Sequence, residues 1–170
     1  MSSAMISEYL LYDSQWSIVI CKRCKYALEP GSGVEKHLGR KHTAIDLDIR
    51  KELIAWARNL TLVEPVFVGV PDENTLPIAG LELIKHGFKC DNDECLEYYA
   101  TTEASIKKHC RNNHYWKAED GIKWTEVSLQ TFFQGIHKRY MLFSLIFLIV
   151  LDCSLSKYYS QKCLLMNYLR

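Results

Sequence analysis

An α+β fold, with two small ββα units joined by an amphipathic helix and a short hairpin, is what this 170-residue sequence predicts. Three observations predict it. A Cys-Cys-His-His pattern occurs twice, apolar residues recur at helical spacing between the two copies, and short β-prone runs bounded by proline and glycine lie around them. The chain is long enough for one ordinary domain or two small ones, and it divides by pattern into 9–45, 46–86, 87–118, 119–140 and 141–170.

The first copy is Cys21, Cys24, His37 and His42, spaced C-x2-C-x12-H-x4-H; the second is Cys90, Cys95, His109 and His114, spaced C-x4-C-x13-H-x4-H. The N-terminus MSSAMISEYLLYDSQW has no basic start, long apolar run and small-residue cleavage site, so the expected compartment is intracellular and reducing, nuclear or cytoplasmic. Under reducing conditions, closely spaced cysteines followed by paired histidines are better read as metal ligands than as disulfides. A unit of this type needs a hairpin for the cysteines, a helix for the histidines and a minimal apolar core between them. Val19, Leu28 and Val34 supply that core in the first copy, and Phe88, Tyr99 and Ile106 in the second, with the extra spacer residue placed between Tyr99 and Ile106.

So small a core does not offset the entropy of ordering roughly 25 residues, whereas structural zinc contributes on the order of 10 kcal/mol. Two Zn2+ sites with these eight residues as ligands are therefore expected, and the units are zinc-stabilised and C2H2-like. The rival reading, buried cysteines beside unrelated surface histidines, explains neither the repeat nor the matching core positions. Histidines five apart point about 140° from each other on a regular helix. The last turn is thus expected to loosen, at Gly39 in one copy and at Asn112 and Asn113 in the other. Cys110, beside His109, is a weaker alternative ligand.

Base reading is not expected. The helix positions that reach base edges carry Pro30, Gly33 and Lys36 in the first copy and Thr102, Ser105 and Lys108 in the second, a poor donor set. Groove-tracking units are joined by about seven residues, but 47 separate His42 from Cys90. The whole chain carries 21 basic and 20 acidic side chains, a net charge of +1 that demands no polyanionic partner. Within the first copy, Lys22, Arg23, Lys25, Lys36, Arg40 and Lys41 outnumber Glu29 and Glu35. These six are the candidates for weak, sequence-independent phosphate contact. The second copy has more acidic than basic residues and would repel phosphate.

Between the copies, Ile49, Leu53, Trp56, Ala57 and Leu60 form one apolar helical face behind a capping Asp46. PVFVGV and LELI then read as the two strands of the short hairpin, with PDENTLP as its turn. The helix and hairpin are expected to pack between the zinc units. Beyond His114, the residues Trp116, Trp124, Val127, Leu129, Phe132 and Phe133 read as core. The run MLFSLIFLIVL, 141–151, is eleven residues long, short of the roughly 17–20 a membrane span needs. A membrane partner is therefore not expected, and the tail from about 142 onward reads as an altered C-terminus, such as one left by an unspliced intron.

The chain also resembles a family of fungal proteins named for the orsellinic-acid biosynthesis cluster protein D. The matching features are YLLYDSQWSIVICKRC, YAL after the second Cys, V-x-x-HL-x-x-x-H, L-x-L-x-x-P, PI-x-GL at Pro77 to Leu81, the second Cys/His pattern, and W-x-x-V-x-x-QTFF from Trp124. Together they cover about residues 9–140. The resemblance implies a fungal origin and a link to secondary-metabolite gene clusters, and it implies no activity. From the residues, the expected function is that of a non-catalytic, zinc-binding interaction module for a protein partner. The alternatives are weak nucleic-acid binding in a transcription-related factor, and an enzyme. Catalytic zinc keeps a coordination position open, whereas both patterns offer four ligands, and no nucleophile-base pair stands at recognisable spacing.

Overall fold

The structure is a computed structural model, and it describes residues 3–72, 75–95 and 97–143. It is a mixed α+β chain whose described pairings are antiparallel. The described residues divide into two compact units, one comprising 3–71, 77–84 and 129–141, the other 72, 75–76, 85–95, 97–128 and 142–143. No helix among the described residues is long and apolar enough to cross a membrane.

In the first unit a short helix α1 (Ser3–Tyr9) leads into a three-stranded meander of β1 (Leu10–Asp13), β2 (Ile18–Cys21) and β3 (Tyr26–Leu28), followed by helices α2 (Gly33–Lys41) and α3 (Leu47–Arg58). All four residues of β2 are buried, which is why Ile18-Val19-Ile20-Cys21 is a continuous apolar run and not an alternating one. On one face Val19 and Cys21 join Leu10, Leu28, Val34, Leu38, Leu53 and Ala57 in a single core. On the other face Ile20 meets the loop at Gly80, whose φ of +83° disfavours a side chain, and a Cβ there would lie 3.1 Å from Leu11. Helix α3 starts where the capping reading places it, the Asp46 carboxylate accepting from the Asp48 N–H. Its apolar stripe is used as expected: Leu53 and Ala57 are buried, and Ile49, Trp56 and Leu60 pack against the same core. The helix belongs to the first unit.

The expected hairpin of PVFVGV and LELI does not form. Pro65–Phe67 is one 3-10 turn, and regular strand structure resumes only at Ile84. The physical reason is where the backbone groups find partners. Pro65 has no N–H to give to a ladder, and its carbonyl, with that of Val68, accepts from the Arg139 guanidinium. The buried Gln130 side chain accepts from the Ile78 N–H and donates to the carbonyls of Ile78 and Leu81. Two side chains thus take the bonds that strand pairing would have used.

In the second unit β4 (Ile84–Cys90) pairs with β5 (Tyr99–Ala100), and α4 (Glu103–His114) follows, capped by the Thr102 hydroxyl accepting from the Ser105 N–H. The sheet order is β5-β4-β6-β7, with β6 at Trp124–Thr131 and β7 at Tyr140–Phe143. Cys90, Ala100, Ile106, Cys110 and Trp124 form the core of this unit. Trp124 and Val127 in this unit, and Leu129, Phe132 and Phe133 in the first, are buried as the core reading of that stretch expects, and Trp116 is half-buried against Trp124. Met141 and Phe143 are buried in β7. The rest of the apolar run and the tail, 144–170, lie outside the described residues.

Candidate metal centres

Cys21 ends β2 and Cys24 lies in the tight turn before β3, a turn closed by the Lys25 N–H bonding to the Cys21 carbonyl and by Lys25 at φ 57°. His37 projects from the middle of α2. His42 caps that helix at φ −129°, ψ 42°, outside helical geometry. Gly39 stays within the helix, so it is not the loosened position expected from the sequence, and the departure falls at the cap. The four donor atoms, two sulfurs and two ring nitrogens, lie within 4.8 Å of one another, as do those of Cys90, Cys95, His109 and His114.

The first cluster asks for a cation on chemical grounds. His42 Nε2 lies 3.2 Å from Cys21 Sγ, 3.3 Å from Cys24 Sγ and 3.2 Å from His37 Nε2. One ring nitrogen carries at most one proton and cannot satisfy three electron-rich neighbours. A tetrahedral ion at the usual bond lengths would set sulfur-nitrogen edges of about 3.5 Å and nitrogen-nitrogen edges of about 3.3 Å. The observed spacings are within a few tenths of an ångström of that tetrahedron. The second cluster repeats it, with Cys95 Sγ 3.1 Å and His114 Nε2 3.2 Å from His109 Nε2. Both groups fit a metal held by four donors.

A contact behind the donors holds the His37 imidazole in the ligating tautomer. His37 Nδ1 is 3.1 Å from the Tyr26 hydroxyl. Leaving Nε2 free for a metal puts the ring proton on Nδ1, where it donates to the Tyr26 oxygen. The phenol proton is then available to Cys24, to which Tyr26 also hydrogen-bonds. In the second centre the Asn113 side-chain nitrogen lies 2.9 Å from His109 Nδ1 and donates to the His109 carbonyl; a donor at Nδ1 positions the ring without placing a proton there, unlike the Tyr26 oxygen. Tyr98 stacks on the His109 ring at 3.6 Å. Helix α4 runs through His114 and stops at Tyr115 in left-handed geometry, so Asn112 and Asn113 are not a loosened turn.

Burial acts in opposite directions on the two ligand types. It pulls the His37 imidazole down from 6.5 to about 4, with His42 and Lys41 adding to the effect. It also lowers His42 and His109. Cys24 and Cys95 are raised, first by burial and then by the charge of the partner cysteine. These three imidazoles are therefore neutral and ready to ligate, while Cys24 and Cys95 hold their protons until a divalent cation displaces them.

The spacing comparison misplaces one residue. Val19 pairs with Leu28 and Phe88 with Ala100, so the buried counterpart of Leu28 is Ala100 and not Tyr99. From Leu28 to Val34 and from Ala100 to Ile106 the chain advances equally. The extra residue of the second copy therefore lies between Cys95 and Tyr98, and strand alternation puts Tyr98 and Ala100 on one face with Tyr99 on the other. With that register Tyr98 stands where Tyr26 stands, and Cys110, fully buried, stands where Leu38 stands. Cys110 is a core residue and not among the four clustered donors. Tyr26, Tyr98 and Asn113 escape a reading confined to Cys and His, although a tyrosine shortly after each second Cys and an Asn four after His109 were visible signals.

The six basic candidates for phosphate contact are used unequally. Lys22 donates to the Ser7 carbonyl, and Arg23 lies 3.9 Å from the Glu8 carboxylate and over the Tyr9 ring, so both are tied to α1. Lys36 and Arg40 share a recess of about 220 Å3 with Tyr26, Glu29 and Phe133. Lys25 occupies the cysteine turn and Lys41 the end of α2.

Comparison with known proteins agrees with the residues that carry these centres. A family model described as Orsellinic acid/F9775 biosynthesis cluster protein D matches residues 8–115, a span that includes all eight donors. The chain is 34% identical over 133 residues to the protein of that description from Emericella nidulans, an alignment covering 78% of this chain and 25% of that protein. It thus spans about a quarter of the length of the relative it matches. No solved structure matches the chain.

Proposed function

The chain belongs to the Orsellinic acid/F9775 biosynthesis cluster protein D family, and from that footing we propose that it is a zinc-binding, non-catalytic interaction module associated with a fungal secondary-metabolite gene cluster. The observation that carries the reading is the pair of four-donor groups, each with two sulfurs and two imidazole nitrogens in reach of one ion. Thiolate and imidazole together suit Zn2+, and four protein donors fill a tetrahedral shell, leaving no position for water or substrate. Each donor set, with its hairpin and helix, is a C2H2-like ββα unit whose sheet has been enlarged by a neighbouring strand. A catalytic zinc would need an open position that neither group offers.

A protein partner is favoured over nucleic acid because Lys22 and Arg23 are committed to α1. That leaves a smaller basic surface for phosphate than the sequence advertises. The test is metal analysis of the full chain, alone and with His42→Ala or His114→Ala. Two zinc ions falling towards one in each variant supports the reading; an unaltered content, or none in the parent, overturns it. Binding to duplex DNA that weakens steeply with salt would favour the nucleic-acid alternative.

A further inference from the structure

Cys110 follows His109 as Leu38 follows His37, and both are fully buried. An aliphatic residue fills that place in the first unit, and a thiol fills it in the second. That thiol shares a core cluster with the ligand Cys90. Cys110 is not among the four clustered donors of that centre. A cavity of about 690 Å3 reaches both sulfur-bearing residues, with Asp91, Asp93, Glu94 and Asp120 on its wall against Lys123.

We propose that Cys110 makes the second metal centre alone sensitive to hydroperoxides, by closing a Cys90–Cys110 disulfide that releases the metal. The proposal rests on the zinc reading above. The Cys90 thiolate attacks the terminal oxygen of the hydroperoxide, the O–O bond breaks, and the alcohol or water leaves with a proton from solvent. Cys90 is then a sulfenic acid, oxidised by two electrons. The Cys110 sulfur attacks it, the S–S bond forms, and the Cys110 proton leaves with the hydroxyl as water. In sum two thiols and one hydroperoxide give one disulfide, one alcohol or water, and one further water. With Cys90 so consumed, three donors remain and the ion is lost. The acidic cavity admits a neutral hydroperoxide and opposes anionic thiols such as glutathione, so the oxidised centre resists glutathione and yields to a neutral dithiol.

The experiment treats the zinc-loaded full chain with hydrogen peroxide, follows metal release with a colorimetric chelator and maps the disulfides by mass spectrometry. One zinc per chain is expected to leave first, with peptides bearing Cys90 and Cys110 joined. Cys110→Ala and Cys110→Ser, each first shown to hold the parent's zinc content, should slow that release roughly tenfold. Equal release from parent and variants overturns the proposal, as does a Cys90–Cys95 link or earlier loss from the first centre. A parent without zinc before peroxide is added overturns the metal reading instead.

Discussion

Replacing Tyr26 by Phe removes one oxygen and tests whether the contacts behind the donors matter. The hydroxyl stands 3.1 Å from His37 Nδ1 and also bonds Cys24, so its loss removes support from two of the four donors of the first centre. The ring itself stays, edge-on to His37 at 5.3 Å, and packing is preserved. Losing an outer partner of a metal-bound imidazole weakens metal affinity by about 10–100-fold, or about 1.4–2.8 kcal/mol. The second centre, whose imidazole is held by Asn113, serves as the internal reference. Competition with a chromophoric chelator resolves the two affinities. The expected result is one weakened site and one unchanged site. A first site weakened less than about threefold would refute the relay from His37 through Tyr26 to Cys24.

Three further outcomes follow from particular residues. Gln130→Leu keeps the volume of a buried side chain but strands the Ile78 N–H and two carbonyls, and it should cost about 3–5 kcal/mol in urea denaturation of the metal-loaded protein. Gly39→Ala should stabilise the fold by about 1 kcal/mol, because the position is helical with open space around it; a loss of zinc affinity would instead restore Gly39 as a needed hinge. Zinc binding at pH 7 should release protons mainly from thiols. Cys24 and Cys95 are raised by burial and protonated there, whereas His37 at about 4 is already neutral, so affinity falls as the pH drops. Calorimetry in buffers of different ionisation enthalpy counts these protons, at least about one per ion. Release of none would contradict the assignment.

Spacing and chemical identity were enough to pick out the eight donors, helix α3 with its Asp46 cap, and the buried aromatic stretch around β6, because each is written in local periodicity or in residue type. They were not enough for the segment from Pro65 to Leu81, whose β-prone residues are denied a ladder by Gln130 and Arg139, partners 49 to 74 positions away. No local pattern encodes that competition. The pairing of Phe88 with Ala100 likewise settled, from three-dimensional register, which tyrosine backs the second centre and where its extra residue lies. Tertiary packing alone brought Cys110 and Cys90, distant along the chain, into one core cluster.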